Sequence, residues 1–346
     1  VRFRSSLFVK HFSSNPRHLS VDLSEYMKDG STIEQLELRP LVDELARRWG
    51  YRESPRFVRH FSNVVYRLGD DTSPHYLRIT AETQRPRRML DSEVEFVAHV
   101  KSQGVPAAGA IVSNSGSLVE ASQLDGETYF ACLFEEAVGQ EFTAVEGIDL
   151  PAFFRNAGRL LGEIHEASRC FQTADSFNRL HWREDRWHKF AELVPESESE
   201  ARRFHAELMA WLDQQPTDRS YFGLIHGDYC IGNLRIDGDK INVFDFDACC
   251  RHWYAYDIAI FLHYFGAGNP EARTEAYDNL LRGYAEVAPL DRVMQNQIPM
   301  FGKMRLLFSY LVFAEKWGFE NLEEFQERYF ELRRRLFEAD PTWPYI

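Results

Sequence analysis

Apolar residues recur in this chain with two periods, and the shorter one is concentrated in the first 135 residues. Val64, Tyr66 and Leu68 alternate as a half-buried strand does, and 75–80 reads as the strand that follows. Segments 117–120 and 128–134 read as two more. Within this group, Glu93, Phe96, Val97 and Val100 are spaced by three and four, so a helix is predicted there and stopped by Gly104. Leu41, Val42, Leu45 and Trp49 mark one face of an earlier helix over 40–49, with Gly50 at its end. Beyond residue 150 the helical period takes over. Phe154, Ala157, Leu160, Leu161 and Ile164 form a stripe over 151–168. Further helices are predicted over 277–284 (before a break at Pro289), 300–317 and 322–339. The last carries Glu323, Glu324, Glu327, Arg328, Arg333, Arg334 and Arg335, the pattern of a solvated face. A hairpin interrupts the helices: Leu234-Arg235-Ile236 and Ile241-Asn242-Val243-Phe244 flank Asp237-Gly238, which predicts a type I′ turn. Gly223-Leu224-Ile225 leads in as a short strand.

A chain of 346 residues is too long for a single core, so two lobes are expected. The 53 acidic and 40 basic residues leave a net charge of −13, which argues against a nucleic-acid surface and suits a cationic small substrate. No run approaches the eighteen apolar residues of a membrane span. The first twenty residues carry arginine and no acid, and lack a secretory core; a tail is expected over 1–35. Cys132, Cys170, Cys230, Cys249 and Cys250 show no paired framework, as in a reduced, cytoplasmic protein, and no Cys/His cluster has zinc spacing.

The chemistry concentrates at the hairpin. His226-Gly227-Asp228-Tyr229-Cys230-Ile231-Gly232-Asn233 precedes the first strand, and Asp245-Phe246-Asp247 follows the second. Folding the hairpin brings Asp245 back beside Asp228 and Asn233. One carboxylate then stands ready for a transferable proton, and an amide and a second carboxylate offer oxygens to Mg²⁺, the combination that phosphoryl transfer from a nucleotide needs.

These residues, of the form H-G-D-x-x-x-x-N and D-x-D, resemble those of the aminoglycoside phosphotransferase and choline kinase-like superfamily, whose fold is that of the protein kinases. The resemblance implies an α+β, bilobal, protein kinase-like architecture: an N-lobe over 36–136 with an antiparallel sheet and one helix, and a mainly helical C-lobe over 137–346. It implies Asp228 as the catalytic base, Asn233 and Asp245 as Mg²⁺ ligands, and His226 as a support for the loop. Asp257 in Tyr256-Asp257-Ile258-Ala259 would brace that loop from a helix N-terminus, and Asp247 would either approach the metal or order its loop. Arg78 stands where the family carries a lysine to the nucleotide phosphates, and Glu93 fits the helix glutamate that pairs with it. Glu135-Glu136-Ala137-Val138-Gly139 would be the hinge, with Glu136 and Val138 meeting the adenine.

Two departures stand out. Arginine for lysine is a change of shape as well as of hydrogen bonding. The turn at Phe61-Ser62-Asn63 has no glycine, leaving Ser62 and Asn63 to offer donors to phosphate. The implied activity is an ATP- and Mg²⁺-dependent phosphotransferase moving the γ-phosphate to a hydroxyl of a small, cationic molecule such as an aminoglycoside or amino alcohol. Trp253, Tyr254 and Tyr256 are candidates to face such a cation. A serine/threonine protein kinase and a nucleotide-binding pseudokinase are the alternatives.

Overall fold

The computed structural model describes residues 38–60, 63–173, 176–184, 186–263 and 270–338. The expected tail over 1–35 and the end of the final predicted helix at Ala339 lie outside these residues, as does Ser62. In chain order the elements are α1 (Arg39–Arg47), β1 (Arg56–His60), β2 (Val64–Leu68), β3 (His75–Ala81), α2 (Arg87–Ser102), β4 (Ala110–Ile111), β5 (Glu120–Leu124), β6 (Glu127–Glu135) and α3 (Leu150–Cys170). There follow α4 (Phe190–Leu193), α5 (Ser199–Leu212), β7 (Phe222–Ile225), β8 (Leu234–Asp237), β9 (Lys240–Val243), β10 (Cys250–Trp253), α6 (Tyr254–His263), α7 (Pro270–Ala285), α8 (Arg292–Trp317) and α9 (Glu324–Glu338).

The first six strands form one antiparallel sheet in the order β1-β2-β3-β6-β4, with β5 also paired to β6. The period of two decides what each face does. Leu77 and Ile79 of β3 pack with Val64, Tyr66, Leu68, Ala131 and Leu133 beneath α1, which contributes Leu41, Val42, Leu45 and Ala46. Arg78 and Thr80 therefore point to the opposite face. On that side Leu90 and Val94 of α2 pack with Val119, Phe130 and Cys132. The remainder is mainly helical and shares one continuous core with the inner face of α2, through Phe96, Val97 and Val100.

Several elements differ from the sequence reading. Residues 117–119 are not strand, and β5 begins only at Glu120, because Ser117 folds back on Val119 through its hydroxyl. The loop of the β8–β9 hairpin is Gly238-Asp239 rather than Asp237-Gly238, since Asp237 pairs with Lys240. Gly238 alone has positive φ (60°), which fits a type II′ loop. The helix expected over 300–317 starts eight residues earlier and contains Pro299: Asp291 caps it by accepting from Met294 N at 2.9 Å, and Met294, Gln297 and Ile298 are buried. Trp253, Tyr254 and Tyr256 are core residues and face no open cleft. Trp253 donates from its indole to Pro216 O, Tyr254 lies under the Arg169 guanidinium, and Tyr256 stacks on His252. Among the described residues, no helix is long and apolar enough to cross a membrane.

The tightest helix pair is α3 with α7, where glycines let backbones meet. A methyl group on Gly158 would lie 1.9 Å from Leu280 O, and one on Gly283 would lie 1.8 Å from Arg155 O. Gly158→Ala should therefore force the pair apart and cost about 1–3 kcal/mol, the usual range for overpacking. Equilibrium unfolding in urea reads this, and an unchanged midpoint would contradict the close approach.

A second prediction concerns pH. Burial pushes the His205 imidazole down to about 4, and its ring lies flat on Phe190 at 3.8 Å. The unfolded chain binds a proton there more readily than the folded one, so stability falls as pH drops from about 6.5 towards 4. Buried His165 and His252 and half-buried His263, also shifted down, act in the same direction. His205→Phe should flatten this dependence in melting curves between pH 4 and 7; a parallel profile would refute the assignment.

Candidate functional site: a carboxylate and guanidinium cleft beneath the sheet

β7 ends at Ile225, and the chain then turns sharply through Gly227, whose φ is +80°. A side chain at Gly227 would meet Ala248 O at 2.2 Å, so this turn requires glycine for both its conformation and its space. The flanking His226 is buried. Its Nε2 donates to Phe244 O at 3.1 Å, leaving Nδ1 to accept from Asp228 N at 3.3 Å. Phe244 N in turn donates to Asn233 O at 3.1 Å. The peptide just before Asp245 is thus bonded to both ends of the loop that carries Asp228.

Asp257, in the first turn of α6, fastens the loop from below. Its carboxylate accepts from His226 N at 2.7 Å and Gly227 N at 2.9 Å. His165 Nε2 reaches the same carboxylate at 3.2 Å, and His165 Nδ1 lies 2.9 Å from the Tyr284 hydroxyl. Burial holds the imidazole below its ordinary pKa against the pull of Asp257, so the ring is neutral. It donates to Asp257 and accepts from Tyr284, tying the loop to α3 and α7.

Asn233 Nδ2 donates to Asp228 O at 2.9 Å and to Asp228 Oδ2 at 3.2 Å, which turns its amide oxygen away from Asp228. Asp245 sits in the left-handed region (φ 68°, ψ 64°), a conformation that costs a non-glycine residue on the order of 1 kcal/mol. Strain of this kind aims a carboxylate where an extended backbone would not. Asp247 is buried and accepts from Asn63 Nδ2 and Arg85 Nη2, both at 2.9 Å. Burial would raise its pKa, but Arg78, Arg85 and Arg179 outweigh this and hold it below the usual carboxylate range.

Arg78 makes a two-pronged bond to Glu93 of α2, Nη1 to Oε1 at 2.8 Å and Nη2 to Oε2 at 2.7 Å. Its Nη1 also lies 3.7 Å from Asp247 and 3.9 Å from Asp245. Burial opposes its charge, and the surrounding carboxylates more than restore it, so Arg78 stays a cation. Asn63 is buried and bonded at both ends, its Oδ1 accepting from Thr80 Oγ1 at 2.7 Å, so it orders the Asp247 loop instead of facing the cleft. Glu136 follows β6 and accepts from the Tyr76 hydroxyl at 3.3 Å. Val138 is exposed, and its carbonyl accepts from Asn242 Nδ2 at 2.8 Å.

The donors fit a hard divalent cation. Asn233, Asp245 and Asp247 offer only oxygens, and Asp247 Oδ1 is buried without a hydrogen bond. Among the described residues, no three His, Cys, Asp or Glu side chains gather as a complete metal cage. Two carboxylates and an amide leave positions open for phosphate oxygens and water, as Mg²⁺ prefers.

Four arginines here were not singled out by the sequence reading. Arg305 of α8 is buried and donates to Asp228 Oδ1 at 2.8 Å. Arg59 of β1 reaches Asp245 Oδ2 at 2.5 Å, and Arg85 reaches Asp247. Arg179 spans three carbonyls, Cys249 O, Met89 O and Asp247 O, and so clamps the Asp247 loop to α2. Arg305 did leave a trace, since it is a charge within an apolar helical run; the other three lie in loops or on a strand with nothing local to mark them. Cys230, in the loop that carries Asp228, is pushed up to about 12 by burial and by Asp228, and is therefore a protonated thiol with no heightened reactivity.

A model of the Phosphotransferase enzyme family matches residues 55–290, and the chain belongs to that family. It is a phosphotransferase with a kinase-like fold. Among curated proteins, amicoumacin kinase from Bacillus subtilis (strain 168) is 27% identical over 312 residues, covering 87% of this chain and 92% of its own. Among solved structures, the amicoumacin kinase hAmiN in complex with AMP-PNP, Ca²⁺ and Ami superposes with a TM-score of 0.81 at 23% identity, over 90% of this chain and 98% of that one. A microcompartment-associated aminopropanol kinase superposes with a TM-score of 0.69 at 22% identity, over 85% and 94%.

The brace beneath the loop is open to test. Asp257→Ala should leave the buried His226 N, Gly227 N and His165 Nε2 without their acceptor and cost on the order of 3 kcal/mol or more. Asp257→Asn, which keeps one acceptor oxygen, should cost less. Chemical denaturation of both variants checks the order, and two equal, small losses would show that the loop holds without the brace.

Proposed function

We propose that this chain is an ATP-dependent kinase that moves the γ-phosphate to a hydroxyl of a small molecule of the amino-alcohol or aminoglycoside kind. The observation that carries the reading is the junction of Asp228, Asn233 and Asp245 around one hairpin, with the Arg78–Glu93 pair facing Asp245 and Asp247. The kinship with amicoumacin kinase, across 87% of the chain, favours a small-molecule acceptor over a protein one. The intact Arg78–Glu93 pair speaks for an active enzyme over a nucleotide-binding module. In this reading residues 36–136 cover the nucleotide and 137–346 carry the base and the acceptor pocket, with the adenine against Glu136 and Val138.

Asp228 accepts a hydrogen bond from the acceptor hydroxyl and takes its proton as the new O–P bond forms and the bond to the ADP oxygen breaks. Phosphoryl transfer has a loose transition state, so alignment by Asp228 contributes more than early deprotonation. Asn233 and Asp245 would hold Mg²⁺, with Asp247 beside them, and the ion would neutralise charge on the donor phosphates. Arg78, fixed by Glu93, adds a permanent positive charge on the same side. Arg305 keeps the Asp228 carboxylate in one orientation. An ammonium group on the acceptor is best accommodated away from α8, where it avoids that guanidinium.

Asp228→Asn should lower acceptor-dependent ADP release by about 10²- to 10⁴-fold, the usual worth of a positioned base, with nucleotide binding kept. The assay runs a panel of alcohols with Mg²⁺ and ATP: amicoumacin, aminoglycosides, choline, ethanolamine, aminopropanol, homoserine and hydroxylysine. A variant that turns over at the parent rate would remove Asp228 from the role of base.

A further inference from the structure

In the β1–β2 hairpin, His60 pairs with Val64, so the connection is only three residues, 61–63, and contains no glycine. Its Asn63 is committed to Thr80 and Asp247. The Arg78 fork is likewise committed, with both Nη atoms on Glu93. The connection thus has no glycine-rich sequence, and Asn63 and the cation of the third strand are already engaged.

β1 carries a compensating irregularity. Its pairing with β2 slips between Phe57 and Arg59, so that Phe57 faces Tyr66 and Arg59 faces Val65, with Val58 the extra residue. A bulge of this kind re-aims the side chains that follow it. Arg59 then crosses to Asp245, 186 positions away in the chain, and its side chain keeps 46% of its surface exposed. A guanidinium that is half open to solvent and set against a metal-site carboxylate stands where the phosphates of a metal-bound nucleotide must pass.

Resting on the phosphotransferase reading, we propose that Arg59 is a donor-phosphate-binding residue. The bulged strand offers its guanidinium to the nucleotide phosphates in place of backbone amides from a glycine-rich turn. Before nucleotide arrives Arg59 serves as counter-ion to Asp245; when Mg²⁺ takes that carboxylate, the fork is released to the phosphate oxygens. Guanidinium suits this exchange because it bonds carboxylate and phosphate with the same two-pronged geometry.

The test is direct binding of Mg·ATP, Mg·ADP and adenosine by calorimetry to the parent chain, Arg59→Gln, Arg59→Lys and Arg56→Gln. Arg56 lies on the same strand and pairs with the exposed Asp71, so it controls for loss of surface charge. Arg59→Gln should weaken Mg·ATP at least tenfold, Arg59→Lys should recover part of this, and adenosine should bind all four proteins alike. Arg56→Gln should match the parent. Equal Mg·ATP affinity in Arg59→Gln and parent would overturn the proposal, as would an equal loss in Arg56→Gln. Failure of the parent itself to bind Mg·ATP would overturn the donor reading and this inference with it.

Discussion

A carboxylate with no exposed surface, that of Asp257, carries the geometry of the site. Burying a charge is costly unless hydrogen bonds meet it, and here two backbone N–H groups and an imidazole do so. The same bonds fix the positive-φ turn at Gly227 and the tilt of His226. His226 then holds the peptide before Asp245, so Asp228 and Asp245 both inherit their positions from one buried carboxylate. Because His165 and Tyr284 extend the chain of bonds to α3 and α7, the close glycine contacts of that helix pair also bear on the site.

Above this brace the cleft is a balance of charge. Glu93, Asp245 and Asp247 face Arg59, Arg78 and Arg85, and Asp228 faces Arg305. Ion pairs of this kind are weak sources of stability when exposed and demanding when buried. Their value here is positional: Asp228, Asp245 and Asp247 are each held by a guanidinium N–H, and Glu93 by the two-pronged fork of Arg78. Asp245 adds backbone strain to the same end. A site built on guanidinium–carboxylate pairs can exchange one ion for another without rebuilding its walls.

The elements that shape the cleft were legible where the signal is local. Leu77 and Ile79 alternate with Arg78 and Thr80, which places the cation on the inner face whatever lies beyond it. The stripe from Phe154 to Ile164 fixed α3 in the same way. The β8–β9 hairpin was recognised, but its loop was displaced by one residue, since Asp237-Gly238 and Gly238-Asp239 are both good turns and only the pairing of Asp237 with Lys240 separates them. Trp253, Tyr254 and Tyr256 were misjudged as candidates to face a cation, because an aromatic side chain reads alike whether it lines a pocket or fills a core.

Sequence alone determined the identity and spacing of Asp228, Asn233 and Asp245, because a short hairpin joins them and a hairpin is encoded by its own residues. It determined the class of chemistry for the same reason. Tertiary structure alone decided which arginines meet those carboxylates. Arg59, Arg85 and Arg305 lie 186, 162 and 77 positions from their partners, and no periodicity connects such distances. A long side chain on one element reaches whatever the packing of the others brings within a few ångströms, and only the folded core sets that packing.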